Sequence, residues 1–156
     1  MVSPELLRRY PFFGQLEDSH LKAIAMLTEE ISLKGNETIF EIESPADYLY
    51  FLLDGCVGLY FVVTDRGDPD TRREFFITDV NPGEPFAISA LIDPNLHTAT
   101  VKTHCPSRAL RIDAAGLRAL CELDSKLAAT LMRQLAKAAI LRLQETQVQL
   151  ASARVS

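Results

Sequence analysis

The chain has no tryptophan and only three cysteines, and the spacing of those cysteines is more telling than their number. Cys56, Cys105 and Cys121 form no CxxC pair, and their odd count argues against a disulfide framework or a zinc knuckle. Reduced thiols in a cytoplasmic setting are the expectation. Positive charge is also short: 16 Lys and Arg against 21 Asp and Glu leave a net charge of −5. That is the wrong sign for a protein held on nucleic acid by phosphate neutralisation, so no direct DNA binding is expected. No apolar run approaches the roughly 20 residues of a membrane helix. The opening Met1 to Arg9 has no long apolar stretch behind its charges, so no secretory signal is expected either. Also missing are a nucleophile elbow, a Gly-rich nucleotide loop and a His/Glu metal cluster. The chain therefore reads as a non-enzyme with no catalytic residue, no metal and no resident cofactor.

What is present is one domain, residues 1–156, with 47% hydrophobic and 24% charged residues, the balance of a soluble globular protein. Ser3-Pro4-Glu5 reads as N-cap, first-turn proline and first-turn acid of a short helix that Pro11-Phe12-Phe13-Gly14 ends. Leu21, Ile24, Ala25 and Leu27 recur at helical spacing, with Asp18 or Ser19 as cap. After Thr28 the pattern changes to period two. Ile31 and Leu33, Ile39 and Phe40, Tyr48 to Leu53, Val57 to Val63, Arg73 to Val80, Thr98 to Thr103 and Arg108 to Ile112 all read as strands. Asp54-Gly55 between two such runs signals a hairpin, and the polar stretch Thr64 to Arg72, with Gly67 and Pro69, a second hairpin loop. About eight short strands suggest a small β-sandwich or roll.

Pro82 to Val101 stands apart. A Pro-Gly turn leads into a short helical stretch from Ala87 to Ile92, a break at Asp93-Pro94-Asn95 and then a strand. Backbone N–H groups at the start of such a helix have no partners within it and favour an anion. The stretch resembles the phosphate-binding cassette of the cyclic nucleotide-binding domain family, with Pro82, Gly83, Phe86, Ala90, Leu91, Thr98, Ala99 and Val101 in register. Earlier blocks, Glu37-Thr38-Ile39-Phe40 and Asp47 to Val57, resemble the same family, although Glu43 stands where the family has a glycine. The resemblance implies a mainly β fold with flanking helices. It would be a double-stranded β-helix, or jelly-roll-like β-roll, with N-terminal helices in 1–28, the roll in 29–112 and C-terminal helices in 113–156.

The same resemblance places the ligand at Phe86, Ala87, Ile88, Ser89, Ala90, Leu91, His97, Thr98 and Ala99. Three of these depart from the family pattern: Ala87 replaces a glycine, Ile88 the glutamate that accepts the ribose hydroxyl, and His97 the arginine that grips the cyclic phosphate. Truncating one side of a buried charged pair costs about 2 to 5 kcal/mol, and losing the carboxylate about 1 to 3 more. If position 87 needs a positive φ, its Cβ adds about 1 to 2 kcal/mol. Ordinary cAMP or cGMP binding is therefore expected to be lost or pushed above physiological levels. His97 reads either as a pH-dependent anion grip or as a partly exposed strand residue, with Ser89 and Thr98 as anion donors at the mouth. Ile88 and Leu91 either line an apolar pocket or fill it. A guanidinium from elsewhere, Arg72 or Arg73, would restore the family's grip.

From Asp124 one helical pattern without Gly or Pro continues to about Ala151. Met132, Ala136, Ala139, Leu143, Thr146 and Leu150 alternate by four and three along a seam. Leu127, Leu131, Leu135 and Ala138 form a neighbouring line able to lie on the roll. A helix with two apolar lines needs two partners, and a second copy of the chain is the economical one; in the family this helix makes a homodimer. The segment that reads the base in the family's activator branch corresponds to Lys137-Ala138-Ala139-Ile140, which has no hydroxyl. The favoured function is a sensory or regulatory small-molecule-binding module with an unidentified ligand. The alternative is a ligand-free scaffold that dimerises or docks a partner protein.

Overall fold

The computed structural model describes residues 1–65 and 67–155, and of Pro69 the backbone alone. Arg66, inside the expected Thr64 to Arg72 loop, and Ser156 lie outside the described residues. Two short N-terminal helices, α1 (Pro4–Arg8) and α2 (Asp18–Met26), flank a 3-10 turn at Pro11–Phe13. Eight strands follow: β1 (Thr28–Leu33), β2 (Thr38–Phe40), β3 (Tyr48–Asp54), β4 (Val57–Asp65), β5 (Asp68–Val80), β6 (Pro85–Phe86), β7 (Thr100–Thr103) and β8 (Ser107–Asp113). A 3-10 helix, Ile88–Leu91, lies between β6 and β7, and the chain ends in α3 (Ala114–Leu123) and α4 (Ser125–Val155). Among the described residues no helix is long and apolar enough to cross a membrane.

Local chemistry sets the helix ends. The Ser3 hydroxyl accepts from Glu5 N at 3.2 Å, and the Asp113 carboxylate accepts from Gly116 N at 2.8 Å. Asp124 Oδ1 accepts from both Lys126 N and Leu127 N, which starts α4. The second helix differs from expectation, because Glu17 holds the cap position and makes no side-chain cap bond.

The strands form two antiparallel four-stranded sheets, ordered β1-β8-β3-β6 and β2-β7-β4-β5. Successive strands keep changing sheet, and among the described residues only β4 and β5 are consecutive neighbours in one sheet, which makes a jelly-roll-like β-roll. The hairpin signalled by Asp54-Gly55 therefore does not form: β3 and β4 belong to different sheets, and this dipeptide is the corner between them. Gly55 has φ +117°, and a Cβ there would run into the Ser107 side chain. The glycine is thus required by close approach as well as by turn geometry. The expected Thr64 to Arg72 loop is also shorter in structure, since Asp65 pairs with Asp68 and β5 begins there.

Cys56 and Cys105 are joined in a disulfide, which corrects the expectation of reduced thiols; Cys121 is free. The bridge links the β3–β4 corner to the β7–β8 corner, where His104 N also donates to Cys56 O at 2.7 Å. A sequence separation of 49 gives no hint of this meeting, because the two corners come together only when the roll closes.

Strand β3 explains why the core has two halves. Leu49 and Phe51 face the helical layer, where they join Leu7, Phe13, Leu21, Ile24, Leu117, Leu127, Leu131 and Leu135. Tyr50 and Leu52 face the other way, toward Val57, Leu59, Val80, Phe86 and Val101 between the sheets. Four successive buried residues thus serve two cores, which is why the run is apolar throughout instead of alternating. Each fully buried Leu or Phe contributes about 1.5 to 3 kcal/mol. On α4 the line Leu127, Leu131 and Leu135 lies on the roll.

Candidate ligand-binding site

Strand β6 delivers Phe86, whose ring stacks on Tyr50 with centroids 5.0 Å apart. The next residue, Ala87, takes a left-handed backbone, φ 61° and ψ 37°, and the 3-10 helix starts directly after it. Glu43 likewise has φ 70°. Both positions where this chain departs from a family glycine thus keep a left-handed backbone while carrying a Cβ, at about 1 to 2 kcal/mol each. Ala90 O in the 3-10 helix accepts from Asn95 Nδ2 at 2.9 Å, which ties the following segment to the helix, and from Arg118 Nη1 at 2.6 Å, which ties the helix to α3. His97 is held on both sides of its backbone, donating to Ser44 O and accepting from Glu43 N.

A cavity of about 90 Å³ lies between this cassette, the inner face of the roll and α4. Phe86, Ala87, Ile88, Ser89, His97, Thr98 and Ala99 line it, as the resemblance implies. Ala90 and Leu91 do not: Ala90 packs with Ala46 and Ala114, and Leu91 joins the core beneath the helices. Thr98 is exposed and Ser89 half-buried at the mouth.

His97 is neither strand nor partly exposed. It precedes β7, is 5% exposed, and stacks on Phe40 with ring centroids 3.5 Å apart and an interplanar angle of 8°. Burial lowers its pKa from the ordinary 6.5 to about 4, only partly opposed by the nearby Asp47 charge. The imidazole is therefore neutral at pH 7, and its Nδ1 is buried without a hydrogen-bond partner. It carries no charge with which to replace the family's arginine.

The charge in the wall comes from a residue that sequence reasoning passed over. Arg142 of α4 lines the cavity with Ala138; its Nη2 donates to Pro85 O at 2.9 Å, while its Nη1 is buried without a partner. Of the block Lys137 to Ile140 only Ala138 lines this cavity, and the helix presents it together with Arg142. Arg142 was signalled indirectly: it continues the spacing of Leu131, Leu135 and Ala138 by four residues, a cation on an otherwise apolar line. Arg72 points elsewhere, donating to Glu41 Oε2 at 3.1 Å and Glu74 Oε1 at 3.0 Å. Among the described residues no Asp or Glu lines the cavity.

Of the seam residues, Ala136, Ala139, Leu143 and Leu150 are exposed, and Met132 and Thr146 are half-buried. Met132 packs against the core beneath the helices, while Leu143 and Leu150 are more than half exposed among the described residues.

The profile of the family described as "Cyclic nucleotide-binding domain" matches residues 30–124, which include both the strands and the cassette. A solved structure of a candidate cyclic nucleotide-binding protein from Geobacter metallireducens is 36% identical, with a TM-score of 0.80 over 92% of this chain and 99% of that one. The N-terminal domain of a transcriptional regulator from Streptomyces coelicolor is 28% identical, with a TM-score of 0.64 over 93% and 94%. The CRP-like cAMP-activated global transcriptional regulator of Mycobacterium tuberculosis is 28% identical over 133 residues. That match covers 85% of this chain but 57% of the regulator, so the chain spans little more than half of that relative's length. With a profile match over more than half of its length and the same two-sheet roll, the chain belongs to the cyclic nucleotide-binding domain family.

Proposed function

We propose that the chain is a sensory module that binds a small molecule other than cAMP or cGMP and passes the signal through α4. The observation that carries this reading is the chemistry of the cavity wall. Position 88 is Ile, position 97 is a buried neutral His, and the one ionised group comes from the long helix, as Arg142. A cavity of about 90 Å³ is also well short of the roughly 300 to 1,000 Å³ typical of drug-sized ligand sites. A ligand engaging Arg142 would act on α4 directly, because the same side chain already holds the strand that opens the cassette.

The exposed row Ala136, Ala139, Leu143 and Leu150 supports a homodimer through α4, with ligand-dependent repacking of that helix as the output. Sedimentation of the wild type and of Leu143→Glu checks this: a dimer that becomes monomeric in the variant is the expected result. The module is proposed to act in the cytoplasm, where a reducing pool would reach the Cys56–Cys105 pair.

Thermal denaturation against a panel of nucleotides and metabolites tests the sensor reading, since any ligand of the native state must raise the midpoint. Stabilisation by a compound other than cAMP or cGMP is expected. Micromolar binding of cAMP would overturn it. A second reading, a scaffold with no ligand, is favoured by the small cavity and by the Phe40–His97 stack that fills part of the space. It predicts no stabilisation by any member of the panel.

A further inference from the structure

Cys56 and Cys105 are bridged, and their backbones are also held together by contacts that need no sulfur. His104 N donates to Cys56 O at 2.7 Å. The buried Ser107 hydroxyl accepts from Cys56 N at 3.1 Å and donates to Cys105 O at 2.9 Å, so one side chain braces both corners. Beside them Val57 and Thr103 are register partners in the β4–β7 ladder. The two Cα atoms stand 5.3 Å apart, a separation that a pair of thiols bridges without backbone movement. Opening the bridge therefore leaves a dithiol already placed to close again.

The two cysteines differ in access: Cys56 is exposed and Cys105 half-buried. Exchange begins with a thiolate attacking an accessible sulfur of the bridge, and exposed bridges are the labile ones. Cys121, on α3, is half-buried, and burial pushes its thiol pKa up, which makes it a poor internal nucleophile. The pair also has a route to the cassette. The ladder that starts at Val57 and Thr103 continues to the partners Leu59 and Val101, and both of these line the cassette cavity.

We propose that Cys56 and Cys105 form a reversible thiol–disulfide exchange site for a glutathione-type thiol, with Cys56 as the sulfur attacked. The incoming thiolate bonds to Cys56 Sγ, the bridge breaks, and its electron pair leaves on Cys105 Sγ, which takes up a proton. A second thiol attacks the external sulfur of the mixed disulfide and releases Cys56 as a thiol. The bridge thus gains two electrons and two protons while two external thiols become one external disulfide, and that disulfide drives the reverse reaction. Reduction loosens the end of the ladder that carries Leu59 and Val101. The exchange needs no occupant in the cavity and stands apart from the sensor reading.

The test uses the full chain in buffers of reduced and oxidised glutathione, with thiols read by acid quench, alkylation and mass spectrometry. Reduced glutathione at about 10 mM is expected to open the bridge in the natively folded protein, and oxidised glutathione to restore it. Cys105→Ser, which leaves Cys56 free, should form the mixed disulfide at least about tenfold faster than Cys56→Ser. With both Ser107 bonds lost, Ser107→Ala should raise the equilibrium constant for reduction by about tenfold, while Ser19→Ala on α2 leaves it unchanged. The 1H–15N signals of Leu59 and Val101 should shift between the two states.

A bridge that glutathione opens only once the protein is unfolded overturns the proposal and makes the pair a structural staple. So does a failure of oxidised glutathione to form the bridge, faster mixed-disulfide formation at Cys105, an unchanged equilibrium constant in a natively folded Ser107→Ala, or signal shifts confined to the two corners. Should Ser107→Ala not fold, the wild-type exchange and the two single-cysteine variants decide.

Discussion

Arg142 Nη2 donates to the carbonyl of Pro85 at 2.9 Å, which fastens the long helix to the two-residue strand in front of the cassette. Its other terminal nitrogen stays buried and unpaired. Leaving a buried donor unsatisfied costs about 1 to 3 kcal/mol, more for a charged one, and an apolar replacement removes that cost along with one hydrogen bond of about 1 kcal/mol. Arg142→Met is therefore expected to leave the ligand-free protein as stable as the wild type, or up to about 1 kcal/mol more stable. Urea denaturation of the two proteins checks it; a loss of several kcal/mol would show that the guanidinium is there for structure.

Ala87 holds a left-handed backbone, φ 61°, at the entry to the 3-10 helix. Replacing it by glycine relieves about 1 to 2 kcal/mol of Cβ strain and adds back about 0.5 to 1 kcal/mol of chain entropy. Ala87→Gly should stabilise by about 0.5 to 1 kcal/mol, and Ala87→Val should destabilise, both read from denaturation midpoints.

His97 has its pKa lowered to about 4 in the folded protein, so between about pH 4 and 6.5 the unfolded chain binds the proton that the folded chain refuses. With more protons bound unfolded, stability rises with pH across that window. The contribution is complete above pH 6.5, declines as pH falls toward 4, and amounts to about 1 to 3 kcal/mol. His97→Phe should flatten this part of the stability profile relative to wild type, measured by denaturation at a series of pH values. Unchanged slopes would place the imidazole in water.

Reducing the Cys56–Cys105 bridge opens a loop of 49 residues of sequence separation, a change worth about 2 to 4 kcal/mol in the chain-entropy account. Dithiothreitol should lower the thermal midpoint of the wild type and leave Cys56→Ser/Cys105→Ser unaffected. Cys121 is not part of the bridge, so Cys121→Ser should respond to reductant like the wild type.

Periodicity made the roll legible. Tyr48 to Leu53, Val57 to Val63 and Arg108 to Ile112 are strands where the pattern says, and Asp113 caps its helix as its residue type suggests. Features that depend on how strands are shared between sheets were not legible. Asp54-Gly55 has the composition of a hairpin turn, yet a sheet corner needs the same positive φ, and only the pairing of β3 with β8 and of β4 with β7 tells them apart. The disulfide was hidden for the same reason, since both cysteines sit at such corners. In the site, the family pattern located the cassette but drew attention to what had been replaced at Ile88 and His97. The cation came from Arg142, about 50 residues downstream, on a helix line that looked complete at Ala138.

Strand β3 is a party wall. Tyr50 lies against Phe86 on the cavity side, while its neighbour Phe51 lies against Phe12 and Phe13 at 5.0 and 4.8 Å under the helices. Any occupant that displaces Phe86 leans on a partition one peptide thick, and the rings beyond it, next to the root of α4, must give way in turn.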